Sequence, residues 1–94
     1  MTETPEWRNE ATEPVLRLLY QAGIGVSPGS IVANLDVRMN SPPAPETIRA
    51  ALEGLEDEGH VRRLDATGEY YVLTGHGRDY VETAVDQEAF GFIE

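Results

Sequence analysis

Three segments of helical periodicity are followed by two short strand-like runs around a glycine-containing turn, and then by one more amphipathic segment. That order predicts an α+β, mostly helical domain laid out as a winged helix-turn-helix: three helices, a β-hairpin wing and a C-terminal helix. The cleanest signal is in "PETIRAALEGLEDEG", where Ile48, Ala51, Leu52 and Leu55 fall at i, i+3, i+4 and i+7. A second is "HVRRL-DATG-EYYVLT", two β-rich runs flanking a turn-forming tetrapeptide. The third is the joint "LTGHGRDYV", where a strand runs through a glycine pair into a helix.

The elements follow in order. Residues 1–11 read as a loosely held arm, anchored on the domain by Trp7, the sole tryptophan. Residues 12–86 form the domain. "TEPVLRLLYQAG" is its first helix, with Thr12 as cap and Pro14 in the first turn, where an intrahelical donor is not needed. Val15, Leu18, Leu19 and Ala22 give the buried stripe, and Gly23 suits the stop. "SPGSIVANLD" is a short second helix capped by Ser27, with Pro28 at its first position and Ile31, Val32 and Leu35 turned inward. The prolines of "VRMNSPPAP" argue against regular structure there. The third helix ends at Gly59. In the hairpin, Tyr71 and Leu73 share one face. Thr74 then caps the last helix, Gly75 and Gly77 leave room for it against the sheet, and Tyr80, Val81, Ala84 and Val85 form its buried side. The tail, residues 87–94, carries Phe90, Phe92 and Ile93 beyond a core already accounted for. These either tuck back into a groove or pack across a two-fold axis, and the dimer is the favoured reading.

Composition narrows the function classes. Seventeen acidic residues oppose seven basic ones, for a formal charge of −10, and every basic residue is arginine. Such a balance is that of an ordinary acidic protein or, in the favoured reading, of one adapted to a cytoplasm of multimolar salt, where the Debye length falls to roughly 3 Å or less and self-repulsion is nearly abolished. It argues against a generic nucleic-acid binder, which carries a basic patch. Cysteine is absent, so disulfides and thiolate metal sites drop out. No run approaches the roughly 18 apolar residues of a membrane span, and no signal peptide is evident. A cytoplasmic protein is expected. His60 and His76 lack the neighbours of a metal site, and His60 reads as a structural histidine. Neither Ser30 nor Ser41 has a partner that would make it a nucleophile, and there is no phosphate loop. No catalysis, metal or cofactor is expected.

Three segments, "SPGSIVANLD", "ETIRAALEGLEDEGHVRR" and "GEYYVLTGHGRDYV", together resemble the haloarchaeal winged helix-turn-helix proteins of the halobacterial phage phiH repressor type. The residues that carry the likeness are Pro28, Ile31, Asn34 and Leu35, then Thr47, Ile48, Leu52, Leu55, Gly59 and Val61. Tyr70, Tyr71, Leu73, Thr74, Gly77, Arg78, Tyr80 and Val81 complete it, so the likeness spans about residues 12–85. The resemblance implies a transcriptional regulator or repressor that reads double-stranded DNA, with its third helix in the major groove and its wing on the backbone. Thr47 and Arg49 would then address the bases. Arg62 and Arg63 at the wing base, and Arg38 in the turn before the third helix, would hold phosphates. The departure from the family is in that third helix, whose outer face holds Glu46, Ala50, Glu53 and Asp57 where relatives carry arginines or lysines. Two alternatives therefore stay open. The arginines can pair with surface acids instead of phosphates. The whole domain can also be a protein-protein interaction module whose acidic helix contacts a basic partner or mimics nucleic acid.

Overall fold

The computed structural model describes residues 6–64 and 68–84. Four helices, α1 (Thr12–Ala22), α2 (Pro28–Arg38), α3 (Pro45–Asp57) and α4 (Gly75–Ala84), surround one core, and strands β1 (Val61–Arg63) and β2 (Tyr71–Leu73) form an antiparallel hairpin between α3 and α4. The domain is α+β and mostly helical, as expected. No helix among the described residues is long and apolar enough to cross a membrane.

The core is made by the periodic positions. Val15, Leu16, Leu19 of α1, Ile31 and Leu35 of α2, Ile48, Leu52 and Leu55 of α3, Val61 of β1 and Val81 of α4 are all essentially inaccessible. Leu16 was outside the stripe expected for α1. It is buried because α1 is central, touching α2, α3, α4 and β2, so its apolar arc is wider than one face. Ala22, expected inside, is only half-buried. The side chain of Ala84 and all of Val85 lie outside the described residues, as does the tail with Phe90, Phe92 and Ile93.

Helix ends explain most of the differences from expectation. Thr12 does not cap α1; the cap position is Ala11, which makes no side-chain bond. Thr12 is buried at the first helical position, and its Oγ1 accepts the Asn9 N–H at 2.9 Å, while Asn9 Oδ1 accepts the Ala11 N–H at 2.8 Å. The chain thus enters α1 through a local Asn9 turn rather than through a threonine cap. Ser27 caps α2 as expected, accepting from Ser30 N at 3.1 Å with Pro28 in the first turn. That helix runs on to Arg38, so Arg38 belongs to its last turn and not to the connection. Pro42 and Pro43 bar helix only later, and Pro45 starts α3, where proline is tolerated. At the far end of α3, Gly59 sits at φ +81°, the His60 N–H reaches Leu55 O at 2.9 Å, and the Gly59 N–H reaches Glu56 O at 3.0 Å. This paired closure uses the left-handed glycine to satisfy the last carbonyls.

Two connections were not anticipated. Val26, in the α1–α2 loop, exchanges both backbone bonds with Tyr71 at 2.9 Å, adding an isolated antiparallel bridge to the free edge of β2. Nothing in the sequence marks Val26 for this, because a single paired residue leaves no periodic trace. Residues 6–11, expected to be loosely held, are part of the fold. Trp7 does anchor them, packing on the His60 and Tyr80 rings at 5.3 and 5.9 Å. Asn9 Nδ2 also donates to Thr47 O at 3.0 Å, and Ala11 is fully buried. Gly54 of α3 lies against the Trp7 carbonyl so closely that no Cβ would fit.

Candidate nucleic-acid interface

The hairpin register fixes what its side chains can reach. Val61 pairs with Leu73, Arg62 with Val72 and Arg63 with Tyr71. Successive side chains on a strand alternate faces. Val61 and Arg63 therefore share the inner face with Leu73 and Tyr71, and Arg62 shares the outer face with Val72. The guanidinium of Arg63 lies over the Tyr71 ring at 5.4 Å and pairs with Glu56 of α3 at 3.1 Å. The hydrogen bond to Glu56, more than any other contact, holds the guanidinium above its ordinary pKa. Arg62 is exposed, and its Nη1 donates to the Arg63 carbonyl at 3.4 Å. The two arginines adjacent in sequence are thus separated by the sheet.

Between the α2 N-terminus, α3 and the hairpin runs an open groove of about 500 Å³. Its floor is Leu52 and Tyr71. Ser27 and Pro28 form one end, Arg49 and Glu53 one wall, and Arg63, Gly68 and Glu69 the other. Gly68 stands at φ +74°, and a Cβ there would press on Arg63 Nη1 at 2.8 Å, so this glycine serves both the turn and the arginine beside it. The lining carries two arginines and two carboxylates, so its charge is mixed and not basic.

Of the five expected site residues, the groove brings together Arg49 and Arg63. Thr47 stands elsewhere. Two helical steps turn roughly 200°, which places it on the opposite flank of α3 from Arg49, where its carbonyl receives Asn9. The arc between these flanks is exposed and holds Glu46, Ala50, Glu53 and Asp57. Arg38 is exposed at the end of α2, and Arg62 is on the outer face of the hairpin. Comparison with protein-family models, curated proteins and solved structures yielded no match.

Around the hairpin base lies a second constellation. His60 is buried, as a structural histidine should be, and its ring stacks on His76 at 4.6 Å with 5° between planes. Tyr80 also stacks on it, at 4.5 Å with 30° between planes. Burial lowers the His60 pKa from its ordinary value, and the nearby His76 ring lowers it further, against opposing pulls from Glu58 and from the His76 backbone. Sequence spacing gave no hint of this cluster, because its members come from the arm, the end of α3 and α4. Among the described residues no group of histidines, aspartates or glutamates is arranged to hold a metal ion. Parallel stacked imidazoles do not converge their nitrogens on one point.

The strand-to-helix corner behaves as its sequence suggests. Thr74 Oγ1 accepts the Gly77 N–H at 2.9 Å, capping α4, and donates toward Gly59 O at 2.7 Å. Gly77 is buried against the His60 carbonyl, with the Leu73 side chain 2.9 Å from where its Cβ would stand. Gly75 differs from expectation: nothing lies within 4 Å of its would-be Cβ, so it makes no room for packing.

Proposed function

We propose that this chain is a winged helix-turn-helix regulator that binds double-stranded DNA, without catalysis, as the likeness to phage phiH-type repressors implies. The observation that carries the reading is the groove, closed at one end by the capped N-terminus of α2, that Arg49 of α3 and Arg63 of the hairpin both line. In this reading α2 and α3 are the helix-turn-helix and the hairpin is the wing. Arg49 is exposed on the flank of α3 that borders the groove and reaches a base edge in the major groove. Arg63 exchanges Glu56 for a phosphate, a contact that positions without reading sequence. Arg38 adds a further backbone contact at the end of α2. A homodimer matches a palindromic operator.

The exposed acidic arc of Glu46, Glu53 and Asp57 favours a second reading, in which α3 docks on a basic protein partner. Carboxylates beside phosphates are repulsive, and only a high cation concentration offsets this. The two readings part in one experiment. Selection of duplexes from genomic fragments in molar potassium chloride is followed by affinity measurement at several salt concentrations. The DNA reading expects Arg63→Ala to weaken binding to all duplexes about equally. It expects Arg49→Ala to blur preference at one position, at a cost of roughly 1–3 kcal/mol of discrimination. If no duplex is held more tightly than random DNA at any salt concentration, the regulator reading fails and the acidic-helix reading replaces it.

A further inference from the structure

We propose that the stacked His60–His76 pair is a pH-operated latch which, through Trp7, holds residues 6–11 on the flank of α3. The latch is built from three elements. Trp7 comes from the strap, His60 from the turn after α3, and His76 and Tyr80 from α4. Trp7 lies tilted on the His60 and Tyr80 rings, at 42° and 59°, so the strap is seated on an aromatic cluster whose central ring is a histidine. Trp7 in turn covers Gly54, and two residues on Asn9 bonds Thr47 O, so the strap spans much of one side of α3.

The neutral pair is what the geometry accommodates. His60 Nδ1 is buried without a hydrogen-bond partner. Protonating the ring would bury a charge, and the pull of Glu58 and of the His76 backbone offsets that only in part. The His76 ring, 4.6 Å away between ring centres, further disfavours a charge on His60. The surrounding charges divide. Arg8 on the strap bonds Tyr80 Oη at 2.8 Å and its guanidinium stands 5.9 Å from the Tyr80 ring, opposing further positive charge. Glu58, at the end of α3, favours it. Burial and the His76 ring outweigh Glu58 and the His76 backbone, so the folded state resists protonation and the opened state does not. Acidification therefore favours opening, and the strap lifts with Trp7 while the core beneath stays packed.

Because the chain has one tryptophan, its emission reports the strap directly. Emission and far-ultraviolet circular dichroism would be followed in parallel from about pH 8 to about pH 5 in molar potassium chloride. The expected result is a red shift of emission with a midpoint below the ordinary histidine value of about 6.5, at unchanged helical signal. His76→Gln, at an exposed position, removes the neighbouring imidazole that opposes a charge on His60 and should move that midpoint upward; His60→Leu should abolish the transition. Emission that stays constant across the range overturns the latch. So does a midpoint that His76→Gln leaves in place, a transition that persists in His60→Leu, or a shift that coincides with loss of helix.

Discussion

Gly75 and Gly77, two residues apart in the corner before α4, have opposite physical situations. Gly77 abuts the His60 carbonyl, whereas nothing stands near Gly75. Gly77→Ala should therefore overpack the contact and cost about 1–3 kcal/mol. Gly75→Ala, at the first position of α4, should gain about 0.4–1 kcal/mol by restricting the unfolded chain. Denaturant midpoints of the two variants check both signs. His60 yields a third expectation at this scale. Its folded pKa is lowered, so the unfolded chain binds more protons in acid. The stability this residue contributes is present above about pH 6.5 and lost as pH falls toward the lowered value. His60→Leu should flatten that part of the stability profile, measured by chemical denaturation at each pH. The corner itself was readable because threonine before a glycine pair is a local instruction. The distinction between the two glycines was not, since it depends on which one meets a backbone arriving from 17 residues earlier, counting from Gly77 to His60.

At the scale of elements, α3 shows what periodicity can and cannot convey. Ile48, Ala51, Leu52 and Leu55 are all buried, as their spacing requires. The same helix carries Gly54 in its interior, a residue that ordinarily weakens a helix by about 1 kcal/mol. The reason is the Trp7 carbonyl lying where a Cβ would be. Gly54→Ala should improve the isolated helix yet unseat the strap, giving a red-shifted Trp7 emission at little change in helical signal. A blue or unchanged spectrum would show that the strap can shift without leaving. Capping was legible at Ser27, where Ser27→Ala should cost about 1 kcal/mol in thermal or chemical denaturation. It was misplaced at Thr12, because Asn9 reaches into the same turn and takes Thr12 as its own acceptor. The end of α2 ran past its expected stop for a related reason. Proline excludes helix only near its own position, and Arg38 lies four residues ahead of Pro42.

Across the whole molecule, the charge of −10 is the dominant long-range feature. Among the described residues Arg8 and Arg17 both pair with Glu13, and Arg63 pairs with Glu56, whereas across the sequence seventeen acids face seven arginines. Self-repulsion should fall as salt screens it, and the melting temperature should rise from dilute buffer to molar potassium chloride. A flat or falling melting temperature would remove the argument for salt adaptation. The order of elements was legible in the sequence because each announces itself locally. The surroundings of the arginines were not, because they depend on how separate elements meet: Arg63 finds Glu56 across the α3–β1 turn, and Thr47 faces the strap while Arg49 faces the groove. The alternation of Arg62 and Arg63 across the hairpin has a practical consequence. Their guanidinium groups can be modified by dicarbonyl reagents, and a bound macromolecule shields only the face it covers. Mass-spectrometric footprinting of these two neighbours, with and without a partner, would report which side of the hairpin is turned toward it: protection at 63 alone means the groove side, and protection at 62 alone means the outer side.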